Sequence, residues 1–190
     1  APTGKAAKVA SKATNTNCET IHRGLKYNPF TKSFMYNRFN NLEEDCIIID
    51  ESSMIDIDLF YNLLMAIKPT AKVIFIGDTN QLPSVGPGNV LHDMIISEDI
   101  NVSTLDVIKR QSANSGIIEN ANNIINCKMI YATPKTNDFF IIKEESPKRT
   151  DDIILKLVYK LIKIRKNNIN DVQVLCPQKN GIIGSYYLNY

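Results

Sequence analysis

Two short apolar runs, each closing on a carboxylate, constrain this chain more than any other feature. They are Cys46-Ile-Ile-Ile-Asp50 and Lys72-Val-Ile-Phe-Ile-Gly-Asp78. Short continuous apolar runs read as strands buried on both faces, as in a parallel sheet. Between them, Asp56 can cap a helix on which Ile57, Phe60, Leu64 and Ile67 recur at helical spacing, and Pro69 follows its end. Strand, helix, strand in this order is a βαβ unit with a right-handed crossover, so an α/β fold is expected.

A length of 190 residues suggests one domain, or one and a piece of another. The formal net charge of +2 is too small to argue for or against nucleic acid, so any basic surface must be local. Cys18, Cys46, Cys127 and Cys176 have no C-x-x-C spacing, and Cys46 and Cys176 sit in strand-like runs. Buried reduced thiols are the expectation, with a cytosolic location. No apolar run approaches the roughly 20 residues that span a bilayer, so no membrane partner is expected. The first residue is not Met and the chain opens on a helix cap, which suggests a piece of a longer protein.

The remaining texture fits the same architecture. Lys5 to Thr14 is rich in Ala and Lys and reads as helix. Thr31 to Asn41, aromatics interrupted by Asn, reads as a hairpin or excursion. Gln81-Leu-Pro-Ser-Val-Gly-Pro-Gly88 holds too many breakers for regular structure and leads into a helix from about Asn89 to Ile96. Val102 to Leu105 is a candidate third strand. Ile117, Ile118, Ala121, Ile124 and Ile125 mark a helix after Ser115. Asp138 to Ile142 and Val172 to Cys176 are candidate strands flanking a helix on which Ile153, Ile154, Leu157, Val158, Leu161 and Ile162 share a face. The pattern breaks between Tyr131 and Asn137, which divides the chain into residues 1–130 and 131–190.

The chemistry gathers at the strand ends. Ligands of open α/β sheets bind outside the carboxyl ends of the strands, where Asp50 and Glu51 fall. One acid can orient Mg²⁺ through its water shell. Its neighbour can align and deprotonate a water attacking a γ-phosphate. A plain strand-end pair capping its own turn would look the same, and Asp-Glu alone is a weak signal. Asp78, one βα step later at the same sheet edge, strengthens it. Gln81 is suited to sensing a phosphate or its attacking water, or to bonding its own loop. Arg110, after the candidate third strand, can stabilise transition-state charge or be an ordinary surface arginine. At the start, Thr3-Gly4-Lys5 looks like the tail of a phosphate-binding G-x-x-x-x-G-K-[ST] loop. Ala6 stands where that loop needs a hydroxyl, so it is not one. Taken alone, the stretch reads best as a capped surface helix; the other reading is a helix start facing some phosphate.

In order, APTGKAA, TIH (Thr20 to His22), IIIDESSM, FIGDTNQLPSVGPG and KRQ resemble superfamily 1 DNA helicases, nearest the RecD-type branch. That branch holds the α subunit of exodeoxyribonuclease V and its stand-alone relatives; conjugative relaxase-helicases of the TraA type are similar. The likeness runs from Ala1 to about Ala121 and resumes at Val172 to Gly184 and Leu188-Asn189. It implies a RecA-like (P-loop NTPase) parallel sheet with helices on both faces: an incomplete first motor domain and the start of a second. ATP and Mg²⁺ are the implied cofactors. Single-stranded and duplex DNA, and other exodeoxyribonuclease V subunits, are the implied partners. Asp50 and Glu51 would be the Walker B acids, Asp50 for Mg²⁺ and Glu51 for water activation, with Asp78 beside them at the ATP site. Gln81 would couple the γ-phosphate to DNA movement and Arg110 would contact that phosphate. Pro2, Thr3, Gly4, Lys5, Thr20 and His22 would face DNA, as would Lys179, Asn180 and Gly181 in the second domain. A lone histidine near a helix start is more often structural, which bears on His22.

Two departures matter. The family's Walker A loop does not occur in these 190 residues, and Ser84 replaces a second proline after Gln81-Leu82-Pro83. The expectations are therefore an ATP-driven helicase acting in recombination or repair, no ATPase from these residues alone, and an exposed or re-paired sheet edge. The other readings are the helicase part of a conjugative relaxase and a DNA-binding or docking module that has lost catalysis.

Overall fold

The computed structural model describes residues 1–105, 115–132 and 138–189. The chain forms two compact units, Ala1–Val107 and Ile108–Tyr190. The boundary expected between Tyr131 and Asn137 falls within the second unit and lies partly outside the described residues.

The first unit opens on α1 (Gly4–Thr14), where the Thr3 hydroxyl accepts from the Ala6 N–H at 3.3 Å. A Thr cap satisfies one of the N–H groups that a helix start leaves unpaired. Thr20 repeats the device for the one-turn α2 (Ile21–Gly24), accepting from the Arg23 N–H. The excursion is a hairpin of two short antiparallel strands, β1 (Tyr27–Asn28) and β2 (Ser33–Phe34), opening a few residues earlier than expected.

The βαβ unit is present. The strands β3 (Cys46–Ile49) and β4 (Lys72–Phe75) pair in parallel, Cys46 opposite Lys72 and Ile49 opposite Phe75. Helix α3 (Ile57–Ala66) joins them, and the Asp56 carboxylate accepts from the Leu59 N–H at 2.8 Å. The unpaired carbonyls at the end of α3 find partners: Leu42 N–H donates to the Ala66 carbonyl and the Asn41 amide to that of Met65.

The packing corrects two expectations. The side chains that α3 buries fully are Leu59, Leu63 and Ala66; of the expected stripe, Phe60 and Ile67 pack half-buried against the core, while Ile57 and Leu64 are exposed. The segment is apolar at almost every position, so two stripes fit helical spacing and only tertiary contact selects one. Among the described residues the sheet is covered on one face, not two. Ile47, Ile49, Val73 and Phe75 join the core with Ile21, Leu25, Ile55, Leu59 and Leu63. Ile48, 60% exposed, and Ile74 lie on the open face. Cys46 shares that face and is exposed rather than buried; all four cysteines are free thiols.

After β4, residues 81–88 form a loop into α4 (Val90–Ile96), whose Val90 and Leu91 are buried. Residues 102–105 form no strand, and Leu105 is 97% exposed.

In the second unit, α5 (Gly116–Ile125) is capped by Ser115, whose hydroxyl accepts from the Ile117 N–H and donates to Asp138 at 2.7 Å. Asn120 is buried and clips the helix to the chain beyond it: its amide donates to the Gly116 and Tyr131 carbonyls and its oxygen accepts from the Tyr131 N–H. Tyr131 reaches back to Glu119 through its hydroxyl. Helix α6 (Pro147–Tyr159) starts on proline and runs on as a π-helical turn over Lys160–Ile164. Its apolar face is present as expected, yet none of its residues is buried. Residues 138–142 and 172–176 form no strand. A strand exists only where a partner accepts its hydrogen bonds, and apolar patterning supplies none. The one-turn α7 (Ser185–Leu188) closes the described chain. No helix among the described residues is long and apolar enough to cross a membrane.

Candidate nucleotide and DNA site

The two acid-ended strands finish side by side, as parallel pairing requires. The ladder continues past β4 where the Ile76 N–H donates to the Ile49 carbonyl at 2.8 Å. The Ser52 N–H then donates to the Ile76 carbonyl, and the Ser52 hydroxyl to the Ile49 carbonyl at 2.9 Å. Ser52, 1% exposed, thus staples both strand ends beneath the acid turn. The next residue of β4's extension must be small: a Cβ on Gly77 would stand 3.1 Å from the Ser52 nitrogen and 3.0 Å from that of Ser53. Gly77 lets the acid turn and the loop that carries Asp78 touch.

Glu51 has left-handed backbone angles, φ 58° and ψ 41°. That region is unfavourable for a residue with a Cβ, and such residues cluster at functional sites. Asp50 supports the turn: one carboxylate oxygen accepts from the Glu51 N–H at 3.0 Å. Both acids are half-buried, and no ion pair engages the Glu51 carboxylate among the described residues. Asp78 is exposed and holds its own loop, accepting from the Asn80 N–H at 2.9 Å, while the Gln81 N–H donates to the Asp78 carbonyl at 3.2 Å. Gln81 is exposed with its amide on the surface.

The loop that follows folds back on the start of α3. The Ile57 N–H donates to the Pro87 carbonyl, and the Ser84 hydroxyl bonds within the loop to the carbonyls of Gly86 and Gly88. Gly86 lies against the Asp56 cap, where an added Cβ would stand 2.2 Å from the carboxylate. Gly88 takes φ +95°, open to glycine at no steric cost. Ser84 in the place of a proline is thus accommodated, its hydroxyl holding the turn.

The two candidate DNA stretches of the first unit meet each other. The Ala1 amine donates to the Glu19 carbonyl and the Ile21 N–H to the Ala1 carbonyl, joining Pro2–Lys5 to Thr20 and His22. Gly4 and Lys5 are exposed at the start of α1, whose N-terminus favours an anion. The exposed His22 ring packs on Tyr27 and Phe34 at 5.4 and 5.7 Å between centroids. That is the structural role which lone histidines commonly have.

Lys179, Asn180 and Gly181 lie in the second unit, in an exposed turn where Gly181 takes φ +93° and the Tyr186 N–H donates to the Lys179 carbonyl. Arg110 lies outside the described residues. Sequence reading overlooked two features. One is the strained Glu51 backbone, which no letter pattern encodes. The other is the hairpin surface, where Lys26 stands over Tyr36 and Arg38 over Phe39, with Phe30 exposed nearby. Its signal was the interleaving of aromatics and cations.

The donor chemistry fits ATP and Mg²⁺ in part. Among the described residues no three His, Cys, Asp or Glu side chains gather to hold an ion. A lone carboxylate such as Asp50 suits Mg²⁺, which keeps most of its waters and takes other ligands from phosphate.

Comparison with known proteins gives the chain a family. The family described as AAA domain matches residues 1–133. The chain is similar to the ATP-dependent RecD2 DNA helicase of Deinococcus radiodurans, 30% identical over 190 residues, 100% of this chain and 25% of that protein. It is 36% identical over 112 residues to the RecBCD enzyme subunit RecD of Mycolicibacterium smegmatis, covering 50% of this chain and 20% of that subunit. The RecD subunit of Haemophilus influenzae is 40% identical over 75 residues, 40% of this chain and 12% of the subunit. The chain spans a quarter or less of the length of these relatives.

Proposed function

This chain belongs to the AAA domain family and is RecD-like, and from that premise we propose that it is part of an ATP-dependent DNA helicase acting in recombination or repair. The observation that carries the reading is the acid turn: Asp50 and Glu51 at the end of one parallel strand, stapled to the end of the next and touching the Gly77–Gln81 loop.

The roles follow from the geometry. Asp50, anchored by the Glu51 N–H, holds the water shell of Mg²⁺. When bound, Mg²⁺-ATP supplies the phosphoryl group and the charge neutralisation its transfer needs. Glu51 aligns and deprotonates the attacking water, its strained backbone fixing the carboxylate in advance. Gln81, on the loop touching the acid turn, reports the state of the γ-phosphate, with Asp78 holding that loop and Arg110 countering charge on the phosphate. Pro2, Thr3, Gly4 and Lys5, with Thr20, contact the backbone of single-stranded DNA, and His22 sets the hairpin beside them. Lys179, Asn180 and Gly181 face DNA in the second unit. Two RecBCD enzyme subunits among the relatives support partnership with other subunits of such a complex. These 190 residues contain no G-x-x-x-x-G-K-[ST] loop, and we expect no ATP hydrolysis from them alone.

The test is DNA-stimulated ATP turnover by the full-length protein. Lys5→Ala is expected to weaken single-strand binding and to raise the DNA concentration needed for half-stimulation, with unstimulated turnover unchanged. Turnover indifferent to DNA would contradict the reading, as would robust hydrolysis by residues 1–190 alone.

A further inference from the structure

Ser53 carries a polar group at the acid turn that the roles above do not use. It is 6% exposed, and its hydroxyl has no hydrogen-bond partner among the described residues. A buried hydroxyl without a partner has left water and gained nothing in exchange. Such groups are few in native proteins, and each calls for a reason. Ser52 shows the contrast, its hydroxyl spent on the Ile49 carbonyl.

The place of the orphan is informative. Ser53 lies in the 3-10 turn Ser52–Met54, two residues beyond the left-handed Glu51. Its backbone nitrogen lies against Gly77, and the Leu91 side chain of α4 packs on the same spot. Gly77 leads directly into the loop holding Asp78, Thr79 and Gln81, all exposed. The turn and the loop therefore meet at a joint whose polar group is unsatisfied in this arrangement.

We propose that Ser53 is a positioning residue that locks Glu51 to the Gly77–Gln81 loop. Its hydroxyl gains a partner in that loop when the loop closes on the terminal phosphate of a bound nucleoside triphosphate, and Glu51 is then held on the attacking water. The unpaired hydroxyl disfavours the open arrangement and the pairing favours the closed one, which is what a two-state element requires. The inference rests on Glu51 as the base.

The test compares Ser53→Ala, Ser53→Thr and Glu51→Gln in the full-length protein by steady-state ATP turnover and thermal melting. Ser53→Ala is expected to lower kcat about tenfold with KM for ATP unchanged, the signature of an interaction made only on the way to reaction. Its melting temperature should not fall, because the hydroxyl it removes bonds nothing in the free protein. Ser53→Thr keeps the hydroxyl and should restore most of the turnover. Wild-type kcat in Ser53→Ala beside an inactive Glu51→Gln would overturn this inference alone. A lowered melting temperature accompanying the kcat loss would overturn it too, by showing a structural hydroxyl bonded through a buried water. Normal turnover in Glu51→Gln would instead remove the reading beneath it.

Discussion

Single residues at the strand ends explain why this turn has the shape it has. Gly77 and Gly86 are there for what they lack: one lets the acid turn meet the loop, the other leaves room for the Asp56 carboxylate that caps α3. Gly86→Ala should push Asp56 off the Leu59 N–H and cost about 1–3 kcal/mol in stability by chemical denaturation, a cap lost plus strain gained. A neutral result would mean that the loop yields freely and does not position α3. The residue scale also yields a pH effect. The Lys68 ammonium donates to Asp45 at 2.6 Å and also to the Glu43 carbonyl, tying the entry of β3 to the end of α3. That hydrogen bond and the charge of Lys68 hold the Asp45 carboxyl below its ordinary value. A carboxylate depressed in the folded state contributes stability above its ordinary value and loses it as pH falls through the lowered one. The pair is exposed, so its effect on melting is small, and the titration itself is the readout. Lys68→Met should raise the Asp45 midpoint in an NMR titration toward the ordinary range; an unmoved midpoint would contradict the pairing. The acids themselves were legible as letters, because an apolar run that ends on a carboxylate is a local pattern. The αL backbone of Glu51 and the orphan hydroxyl of Ser53 were not, since both arise from how two strand ends meet.

Elements divided along the same line. Caps at Thr3 and Asp56 read correctly from sequence, because a cap is settled within four residues. The β3-α3-β4 unit was legible too, its runs bounded by turn residues. The apolar run at 172–176 resembles those two strands in letters and pairs with nothing among the described residues. Strand identity depends on a neighbour, and the sequence of one run does not contain its neighbour. Helix α3 shows the same dependence in its orientation. Leu63→Ala should cost about 2–5 kcal/mol, as buried leucines do, whereas Leu64→Ala, next in sequence and exposed, should stay within about 0.5 kcal/mol. Equal costs measured by denaturant melts would return the core to the stripe that the sequence suggested.

For the molecule as a whole, the open face of the β3–β4 sheet is the feature that most distinguishes residues 1–190 from a finished α/β layer. Ile48, Ile74 and Ile76 present apolar surface where a parallel sheet is ordinarily covered. Expressed by themselves, these residues should self-associate, and Ile74→Lys should reduce that in sedimentation without lowering the melting temperature. A monodisperse wild type would contradict it. The RecD-like membership rests on the first 133 residues and on relatives several times longer. The most direct measurement is ATP turnover and nucleotide binding by the full-length protein carrying Glu51→Gln. The account predicts turnover reduced about a hundredfold or more with ATP affinity preserved. Turnover equal to that of the wild type would contradict it.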